Sequence, residues 1–410
     1  MEQTITVKVR LYPTSEQASK FVAVTEEYRH VCNIVSQWYF NEQFKPTVKV
    51  FQKVMYHQLR AESKLNSMMV QSVFRTVLAR YRTVQTQLRK KPFQFYGKDE
   101  NGVGRRVTCQ RNLTWLTKPI RFKRPQADYL RQSNYSFVEK ATKISLNVLG
   151  ERIKACYNAV YARPLLAPSA KLGTAKLISL KGHWFLHIPM TLSVPDWSRE
   201  TNQHIVGIDR GLRFATTAYD EQGQTEFACG KRLAYKRNRY AYTRAKLQAK
   251  GTKSAKRHLK KLAQRENCWM NDVNHCLSKT LVGKYGANTL FVLEDLIGVS
   301  FDHKRVSKKA EYQLRSWSFY DLQMKLTYKA HLMGSEVILV AAQYTSQRCP
   351  RCCHIDKANR NHHMHEYHCD NCGFRTNDDR VGAMNLYELG KQYLDGDEHP
   401  KFAKTNSGSD

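Results

Sequence analysis

The chain has 410 residues, and its 41% hydrophobic content is enough for more than one domain with its own core. No run approaches the roughly 18 consecutive apolar residues that a membrane span needs, and the first residues lack the basic-then-apolar pattern of a signal peptide, so we expect a cytosolic protein. Sixty-seven Lys and Arg against 35 Asp and Glu give a formal net charge of +32, which favours nucleic acid as a partner but leaves binding to a ribosome or a membrane surface open.

The first half of the chain changes from a strand-like to a helix-like pattern and back. Apolar and polar residues alternate over 3–12, which predicts a half-buried strand that ends at Pro13. Thr14 and Gln17 then make a capping-box pattern ahead of helical periodicity that continues to about residue 90. From there to about residue 198, short alternating runs rich in β-branched and aromatic residues predict strands. We therefore predict one β-barrel with a helical block inserted in it, the barrel comprising residues 1–25 and 100–200 and the block residues 26–99.

The second half follows an α/β pattern. Residues 204–220 predict two strands around a Gly turn, and a long basic helical region separates them from a strand at 289–296. More helix and a strand at 335–344 come next, then a cluster of cysteines, then a last helix that starts near Asp378. We predict an α/β domain of residues 201–346 and 376–395. The cysteine cluster is inserted in it as residues 347–375, and a polar, disordered tail follows as residues 396–410.

The eleven cysteines fall into two groups. Two Cys-x-x-Cys pairs, Cys349 with Cys352 and Cys369 with Cys372, are separated by sixteen residues, a spacing that predicts one structural Zn²⁺ ion in a closed Cys₄ site. Replacement of one ligand by Cys353 or by a nearby histidine stays open, although these histidines are expected to be solvated loop residues: His354, His362, His363, His365 and His368. The other cysteines are scattered and are expected to be buried thiols: Cys32, Cys109, Cys156, Cys229, Cys268 and Cys276.

Three acidic residues stand in unusual places. Asp209 and Glu294 each end an apolar strand, where a charge is unfavourable unless something binds it. Asp379 begins a helix whose next turn carries the small residues Gly382 and Ala383, which would let the helix approach a sheet closely. Each acid alone also fits a plainer role, at a strand end on the surface or at a helix N-terminus. Together, in such a basic chain, they predict an oxygen-rich pocket for two Mg²⁺ ions about 4 Å apart and hydrolysis of a phosphodiester.

Three sequence motifs resemble those of a known family. "VGIDRGLRFATT" (206–217), "FVLEDL" (291–296) and "DDRVGAMNL" (378–386) are similar to the split motifs of a RuvC-like nuclease with the RNase H fold. A Cys₄ ribbon directly before the third motif resembles TnpB, the RNA-guided nuclease that insertion sequences encode. The third motif of that family is Asp-Arg-Asp-x-Asn-Ala-Ala, so Asp379 matches its second acid, Asp378 stands in place of the Arg, and Gly382 replaces the first Ala. Asp378 is therefore expected to be a bystander.

The resemblance implies an α/β multidomain protein. A wedge β-barrel with an inserted helical recognition domain would precede a RuvC-like nuclease domain, in which Asp209, Glu294 and Asp379 are catalytic and hold Mg²⁺. The activity implied is cleavage of double-stranded DNA, guided by a noncoding RNA and by a short motif beside the target. The location implied is a prokaryotic cytoplasm, at the nucleoid when DNA is bound, and no membrane partner is expected. The alternatives are a compact type V CRISPR effector that uses a CRISPR RNA, a repressor that binds DNA without cutting it, and a transposase. The sequence does not set the oligomeric state.

Residues 231–265 are strongly basic and contain no acid. A solvated helix face is the plain interpretation, and a helical hairpin along the guide–target heteroduplex is the one we favour. The tyrosines of this stretch, Tyr235, Tyr240 and Tyr242, could stack or pack, and packing in a core is the role we expect for each. A second basic stretch, 89–106, is expected either to bind RNA or to form a mobile loop. The cations predicted to contact nucleic acid are Lys231, Arg232, Lys236, Arg237, Arg239, Arg244, Lys256, Arg257, Lys260 and Lys261.

Overall fold

The computed structural model describes residues 1–98, 104–158, 163–167, 169–296, 319–361 and 364–403. These residues form two compact units, one of residues 2–192 and one of residue 1 with residues 193–410. No helix among the described residues is long and apolar enough to cross a membrane.

The first unit contains an eight-stranded sheet in a nearly closed barrel, in the order β4-β9-β10-β1-β7-β6-β5 with β8 paired to β10. β10 shows why the sheet forms, because its alternate residues from Trp184 to Met190 are buried and the residues between them are more exposed. The strands are β1 (Glu2–Tyr12), β4 (Gln126–Tyr129), β5 (Tyr135–Val138), β6 (Lys143–Val148), β7 (Glu151–Tyr157), β8 (Lys171–Leu172), β9 (Ala175–Leu180) and β10 (His183–Ser193).

Three helices are inserted after β1, namely α1 (Ser15–Asn41), α2 (Val48–Glu62) and α3 (Ser67–Arg89). The predicted capping box is present, since the Thr14 hydroxyl accepts from the Gln17 amide and the Gln17 side chain accepts from the Thr14 amide. The helix therefore begins at Ser15, and the predicted boundary at residue 25 is wrong because it lies inside α1. A hairpin of β2 (Phe93–Lys98) and β3 (Gly104–Cys109) follows α3. Residues 99–103 of the predicted basic stretch lie outside the described residues.

The second unit contains a five-stranded mixed sheet in the order β13-β12-β11-β14-β15. β11 pairs antiparallel with β12 and parallel with β14, and β15 continues the parallel part. Five consecutive residues of β14 are buried, as expected for a parallel strand covered on both faces. The strands are β11 (His204–Asp209), β12 (Phe214–Asp220), β13 (Thr225–Cys229), β14 (Thr289–Glu294) and β15 (Glu336–Val340).

Helices cover both faces of this sheet. One face packs against α5 and α6 through residues such as Phe291, Leu281 and Leu326, and the other packs against α7 through residues such as Val292 and Leu386. α4 forms a hairpin with α5. The helices are α4 (Lys231–Lys250), α5 (Lys253–Tyr285), α6 (Phe319–Leu332) and α7 (Asp378–Leu394).

A small ribbon precedes α7. Its three strands, in sequence order, are β16 (Arg360–Asn361), β17 (Glu366–His368) and β18 (Arg375–Asn377), and β18 leads directly into α7. After α7, Phe402 is 6% exposed and packs with Leu386 and Leu389, so the prediction of a disordered tail is wrong at this residue; residues 404–410 lie outside the described part.

Four of the six scattered cysteines are exposed, and their predicted burial is wrong. They lie on outward faces of β7, β13 and α5, where the strand alternation or helix period turns the side chain to solvent. The four are Cys156, Cys229, Cys268 and Cys276; Cys32 is buried and Cys109 is partly buried.

Candidate active site and metal centres

Asp209 and Glu294 are the last residues of two adjacent parallel strands. β11 and β14 pair with Ile208 opposite Leu293, so both carboxylates lie at the same edge of the sheet. The chain runs from β11 outward to β12 on one side and returns to β14 on the other. In open α/β sheets, such a reversal of strand order leaves a crevice at the carboxyl ends of the strands, which is where ligands bind.

Helix α7 brings Asp379 to the same edge. Asn377 caps the helix, because its side-chain oxygen accepts from the amides of Asp379 at 3.1 Å and Arg380 at 3.2 Å. α7 lies so close to β11 that a Cβ atom at Gly382 would be 3.1 Å from Cγ of Asp209. Asp379 is 7% exposed, and its Oδ1 would lie 3.8 Å from a Cβ atom at Gly211, just beyond the end of β11. The sequence predicted this close approach from Gly382 and Ala383.

Burial raises the pKa of each of the three carboxylates. Burial raises the pKa of Asp209 well above its usual range, and the charges of Glu294 and Asp379 raise it further. Burial also raises the pKa of Glu294 and of Asp379, and in Asp379 the neighbouring Asp378 adds to the effect. The guanidinium of Arg360 opposes the rise in pKa of all three acids. A pocket with this excess of negative charge is stabilised by a cation.

Two polar residues that the sequence did not reveal hold Glu294. Arg210, which is 6% exposed, donates to the Glu294 carbonyl and, at 3.3 Å, to the carbonyl of Phe319. The buried Thr345 donates its hydroxyl to the Glu294 carboxylate, which opposes the rise in the pKa of that acid. These contacts fix both the backbone and the side chain of Glu294.

Asn385 fixes Thr345 in turn. This residue is fully buried, and its side-chain amide donates to the carbonyls of Thr345 at 2.7 Å and Arg348 at 2.8 Å. A polar residue on the apolar face of α7 was the available signal, because such a residue needs hydrogen-bond partners. Asn385 therefore links the helix that carries Asp379 to the loop that orients Glu294.

Asp378 is buried and ion-paired at the start of α7. It is 1% exposed, accepts from Nε of Arg360 at 3.0 Å, and its amide donates to the carbonyl of His365 at 3.3 Å. Nδ1 of His365 lies 3.6 Å from Oδ1 of Asp378. One ligand atom each from His365, Asp378 and Asp379 can be chosen so that all lie within 4.8 Å of one another.

The acidic pocket fits a hard divalent cation. Oδ2 of Asp379 is buried and has no hydrogen-bond partner among the described residues. An orphaned buried carboxylate oxygen beside two further acids is the donor set that Mg²⁺ prefers. Asp209, Glu294 and Asp379 are thus the residues that would hold such ions.

The four paired cysteines come together in the ribbon. Sγ of Cys349 lies 3.6 Å from Sγ of Cys372, and Sγ of Cys352 lies 3.5 Å from Sγ of Cys369. Four thiolates at Zn–S distances of about 2.3 Å in a tetrahedron lie about 3.8 Å apart, so this cluster fits zinc. Cys353 is outside the set, exposed, and accepts from Arg348 at 2.8 Å. His354 and His368 are also outside it, and His362 and His363 lie outside the described residues.

The basic hairpin of α4 and α5 presents most of its predicted cations to solvent. Arg237 does not fit the prediction, since it is 1% exposed and its Nε lies 3.4 Å from the sulfur of Met270. Arg244 is partly buried and pairs with Glu266, the first acid after the basic run. The pairing of the two helices turns these positions inward. The eight exposed cations are Lys231, Arg232, Lys236, Arg239, Lys256, Arg257, Lys260 and Lys261.

Two tyrosines of this hairpin are exposed as well, so their predicted packing in a core is wrong. Tyr235 is 65% and Tyr242 is 62% exposed, whereas Tyr240 packs on Trp269 with 6.0 Å between ring centroids. Exposed aromatic rings among cations are suited to stacking on nucleobases.

Two protein families match parts of the chain. Residues 187–298 match a family described as a probable transposase, and residues 319–386 match the family "Cas12f1-like, TNB domain". A CRISPR-associated endodeoxyribonuclease Cas12f1 of Syntrophomonas palmitatica is 26% identical over 209 residues, which are 47% of this chain and 40% of that protein. A TnpB-like protein of Acanthamoeba polyphaga mimivirus is 25% identical over 218 residues, 50% of this chain and 41% of that protein. The chain thus matches less than half the length of each relative, and the predicted resemblance to the TnpB family is confirmed.

A solved structure has the same fold over most of the chain. The protein in the cryo-EM structure of a Cas12f1–sgRNA–target DNA complex superposes with a TM-score of 0.58 at 11% sequence identity. The superposition covers 94% of this chain and 98% of that one. At this identity the likeness concerns the fold alone.

Proposed function

We propose that this chain, which resembles TnpB-like and Cas12f1 proteins, is a metal-dependent, RNA-guided DNA endonuclease with a RuvC-like domain of the RNase H fold. The observation that carries the proposal is the convergence of Asp209, Glu294 and Asp379 at one edge of the mixed sheet. The relative named as a CRISPR-associated endodeoxyribonuclease supports the same activity. Recognition of a short motif beside the target follows from the resemblance.

Asp209, Glu294 and Asp379 would hold two Mg²⁺ ions, which when bound activate a water for attack on phosphorus and neutralise the leaving 3′ oxygen. The protein prepares the pocket through its own contacts. Arg210 and Thr345 hold Glu294 in place, and the Thr345 hydroxyl favours its ionised form. Such preorganisation lowers the cost of reaching the reactive geometry.

The ribbon would hold one structural Zn²⁺. A closed set of four thiolates leaves no open position for chemistry, so its contribution is to the fold. Its site is formed by Cys349, Cys352, Cys369 and Cys372.

The exposed cations of α4 and α5 would bind the nucleic-acid backbone. Eight solvent-facing Lys and Arg on one hairpin can neutralise phosphates of a heteroduplex without reading its sequence. Arg237 and Arg244 are left out of this surface because they pack or pair between the helices. Each phosphate contact should add about 0.9 to the slope of log affinity against log salt concentration.

A compact type V CRISPR effector is the second candidate, favoured by the match of residues 319–386 to the Cas12f1-like family. The two candidates differ in the RNA that the protein binds. An RNA from beside the gene would indicate a transposon-type guide, and RNAs with a shared repeat would indicate CRISPR RNA. A repressor that does not cut is less well supported, because all three acids of the pocket are present.

The proposal is tested by purifying the protein with its bound RNA, sequencing that RNA, and incubating the complex with a plasmid library that carries the matching target and randomised flanks. We expect Mg²⁺-dependent cleavage of the plasmids with one flanking motif. Asp209→Ala, Glu294→Ala and Asp379→Ala should each abolish cleavage and leave RNA binding unchanged. Glu388→Ala, a more exposed acid on the same helix as Asp379, is the control and should cut normally. Cleavage at the wild-type rate by all three pocket variants would overturn the assignment.

A further inference from the structure

We propose that His365, Asp378 and Asp379 form an additional metal site, which takes a first-row transition dication such as Mn²⁺ and shares Asp379 with the acidic pocket. The binding of the metal stands apart from the proposed nuclease function. Its effect on the choice of metal during cleavage rests on that function.

The first observation is the placement of the ligand atoms. One nitrogen of His365 and one oxygen from each of the two aspartates lie within 4.8 Å of one another. Nδ1 of His365 and Oδ1 of Asp378 are 3.6 Å apart, too far for a hydrogen bond. Two ligand atoms that each lie about 2.1 Å from a shared ion are separated by about 3.0–3.5 Å, so this pair needs only a small adjustment to bind one dication.

The second observation is that two of these atoms are buried and lack partners. Oδ2 of Asp379 and Nδ1 of His365 have no hydrogen-bond partner in the described part of the chain. Asp379 is 7% exposed, so its orphaned oxygen is hidden from most of the solvent. A buried polar atom without a partner costs free energy that a metal–ligand bond removes.

Arg360 does not fill the site. Its Nε contacts Oδ2 of Asp378 at 3.0 Å, and its Nη2 lies 3.6 Å from Oδ1 of Asp379. The guanidinium therefore uses the opposite oxygen of each aspartate. Arg360 thus leaves Oδ1 of Asp378 and Oδ2 of Asp379 uncontacted, although Oδ1 of Asp378 also accepts from the amide of Asp379 at 3.0 Å. A carboxylate oxygen has two lone pairs, so this hydrogen bond leaves one for a metal ion.

The chemistry of the donors selects the class of metal. Mg²⁺ and Ca²⁺ favour sites made of oxygen alone, whereas an imidazole nitrogen suits transition dications such as Zn²⁺, Fe²⁺ or Ni²⁺, and the carboxylates also suit Mn²⁺. The site spans the ribbon and the first turn of α7. Backbone contacts hold its two halves together, since the carbonyl of His365 accepts from the amide of Asp378 at 3.3 Å and from the side chain of Asn377 at 3.2 Å.

The test is Mn²⁺ binding to the zinc-loaded full-length protein without nucleic acid, followed by electron paramagnetic resonance. Wild type, His365→Ala and the more conservative His365→Gln are compared with His354→Ala, which removes an exposed histidine of the same ribbon. We expect a hyperfine coupling between Mn²⁺ and a ring nitrogen in wild type and in His354→Ala. Both His365 variants should lose this coupling and bind Mn²⁺ roughly 10–100-fold more weakly, while Mg²⁺ binding stays the same.

The outcome separates this inference from the proposed nuclease function. A nitrogen coupling that survives in both His365 variants, or equal Mn²⁺ affinity in all four proteins, overturns the inference even if Mg²⁺-dependent cleavage is found. Loss of the coupling in correctly folded His365 variants supports it even if the chain cuts no DNA. Folding is checked by zinc content and Tm. If the chain does cut, the ratio of Mn²⁺- to Mg²⁺-supported cleavage should fall about tenfold in His365→Ala and stay constant in His354→Ala.

Discussion

Replacement of Gly207 by Ala should move Asp379 away from the carboxylates of Asp209 and Glu294. Gly207 lies in the middle of β11, directly under α7. A Cβ atom there would be 2.1 Å from the carbonyl oxygen of Ala383 and 2.4 Å from the amide nitrogen of Tyr387. Both atoms belong to the backbone, so no side chain can rotate away. Helix α7 must retreat from the sheet, and Asp379 moves with it.

The size of the effect follows from the distances. An ordinary contact of a Cβ atom is 3.4 Å or longer, so α7 has to move by more than ~1 Å. A misplacement of about 1 Å in a catalytic group can cost roughly 100-fold in rate, or about 2.7 kcal/mol of transition-state stabilisation. Overpacking of this kind also lowers the free energy of unfolding by about 1–3 kcal/mol. We therefore expect cleavage by Gly207→Ala to fall by about two orders of magnitude in a protein that still folds.

The assay is single-turnover plasmid cleavage by the purified RNA complex, with Tm, zinc content and RNA binding measured on the same samples. Gly283→Ala is the matched control, because a Cβ atom at this exposed position of α5 meets nothing within 4 Å. It should cut normally and gain about 0.5–1 kcal/mol in stability. Gly382→Ala, whose Cβ atom would lie 3.1 Å from Cγ of Asp209, should fall between the two. A folded Gly207→Ala that cuts at the wild-type rate, or a rank order that ignores these distances, would refute the reasoning.

Three further predictions concern the charges and the ribbon. Asp209→Asn should raise the free energy of unfolding in Mg²⁺-free buffer at neutral pH, because the folded pKa of Asp209 lies above its unfolded value. The contribution of this acid to stability is present below the unfolded pKa and is lost as pH rises through the folded pKa, by about 1.4 kcal/mol for each pH unit that separates the two pKa values. Urea melts at pH 5 and pH 8 in which wild type and variant change equally would contradict this. Thr345→Val removes the hydroxyl that favours ionised Glu294, so the pKa of Glu294 should rise and the acid limb of the pH–rate profile should move to higher pH, and an unmoved profile counts against the contact. Cys369→Ser should lower zinc content and reduce cleavage at least about tenfold with RNA binding retained, and wild-type cleavage by zinc-depleted protein would rule out a role for the ribbon in the pocket.

The sequence predicted the parts of the site that depend on local patterns. Asp209 and Glu294 were recognisable because each charge ends a run of apolar strand residues. The paired cysteines were recognisable because two-residue spacing suits one ion. The contacts of Arg210, Thr345 and Asn385 were not recognisable in this way. They join residues 37 to 109 positions apart, and these pairings depend on how the sheet, the loop and α7 pack together.

The basic hairpin shows the same limit. A run without acids predicted a charged helical surface, and most of its cations are exposed. Which positions face inward depends on the pairing of α4 with α5, and that pairing buries Arg237 against Met270 and brings Arg244 to Glu266. Tyr235 and Tyr242, as large apolar residues, were expected inside, but the helix period places them on the solvent side.

The ribbon contacts α7 at two places, which makes the position of Asp379 depend on the four paired cysteines. At the start of the ribbon, the guanidinium of Arg348, next to Cys349, donates to the side chain of Asn385 at 3.2 Å. In its hairpin, Arg360 contacts Asp378 and Asp379. A zinc ion that fixes the two cysteine pairs would fix both of these contacts. Arg348 is next to Cys349, and Arg360 lies in β16, which pairs with the strand that leads to Cys369. Asp379 then gains its geometry from two sides, from the close contact of α7 with β11 and from a ribbon whose own fold needs the four thiolates together.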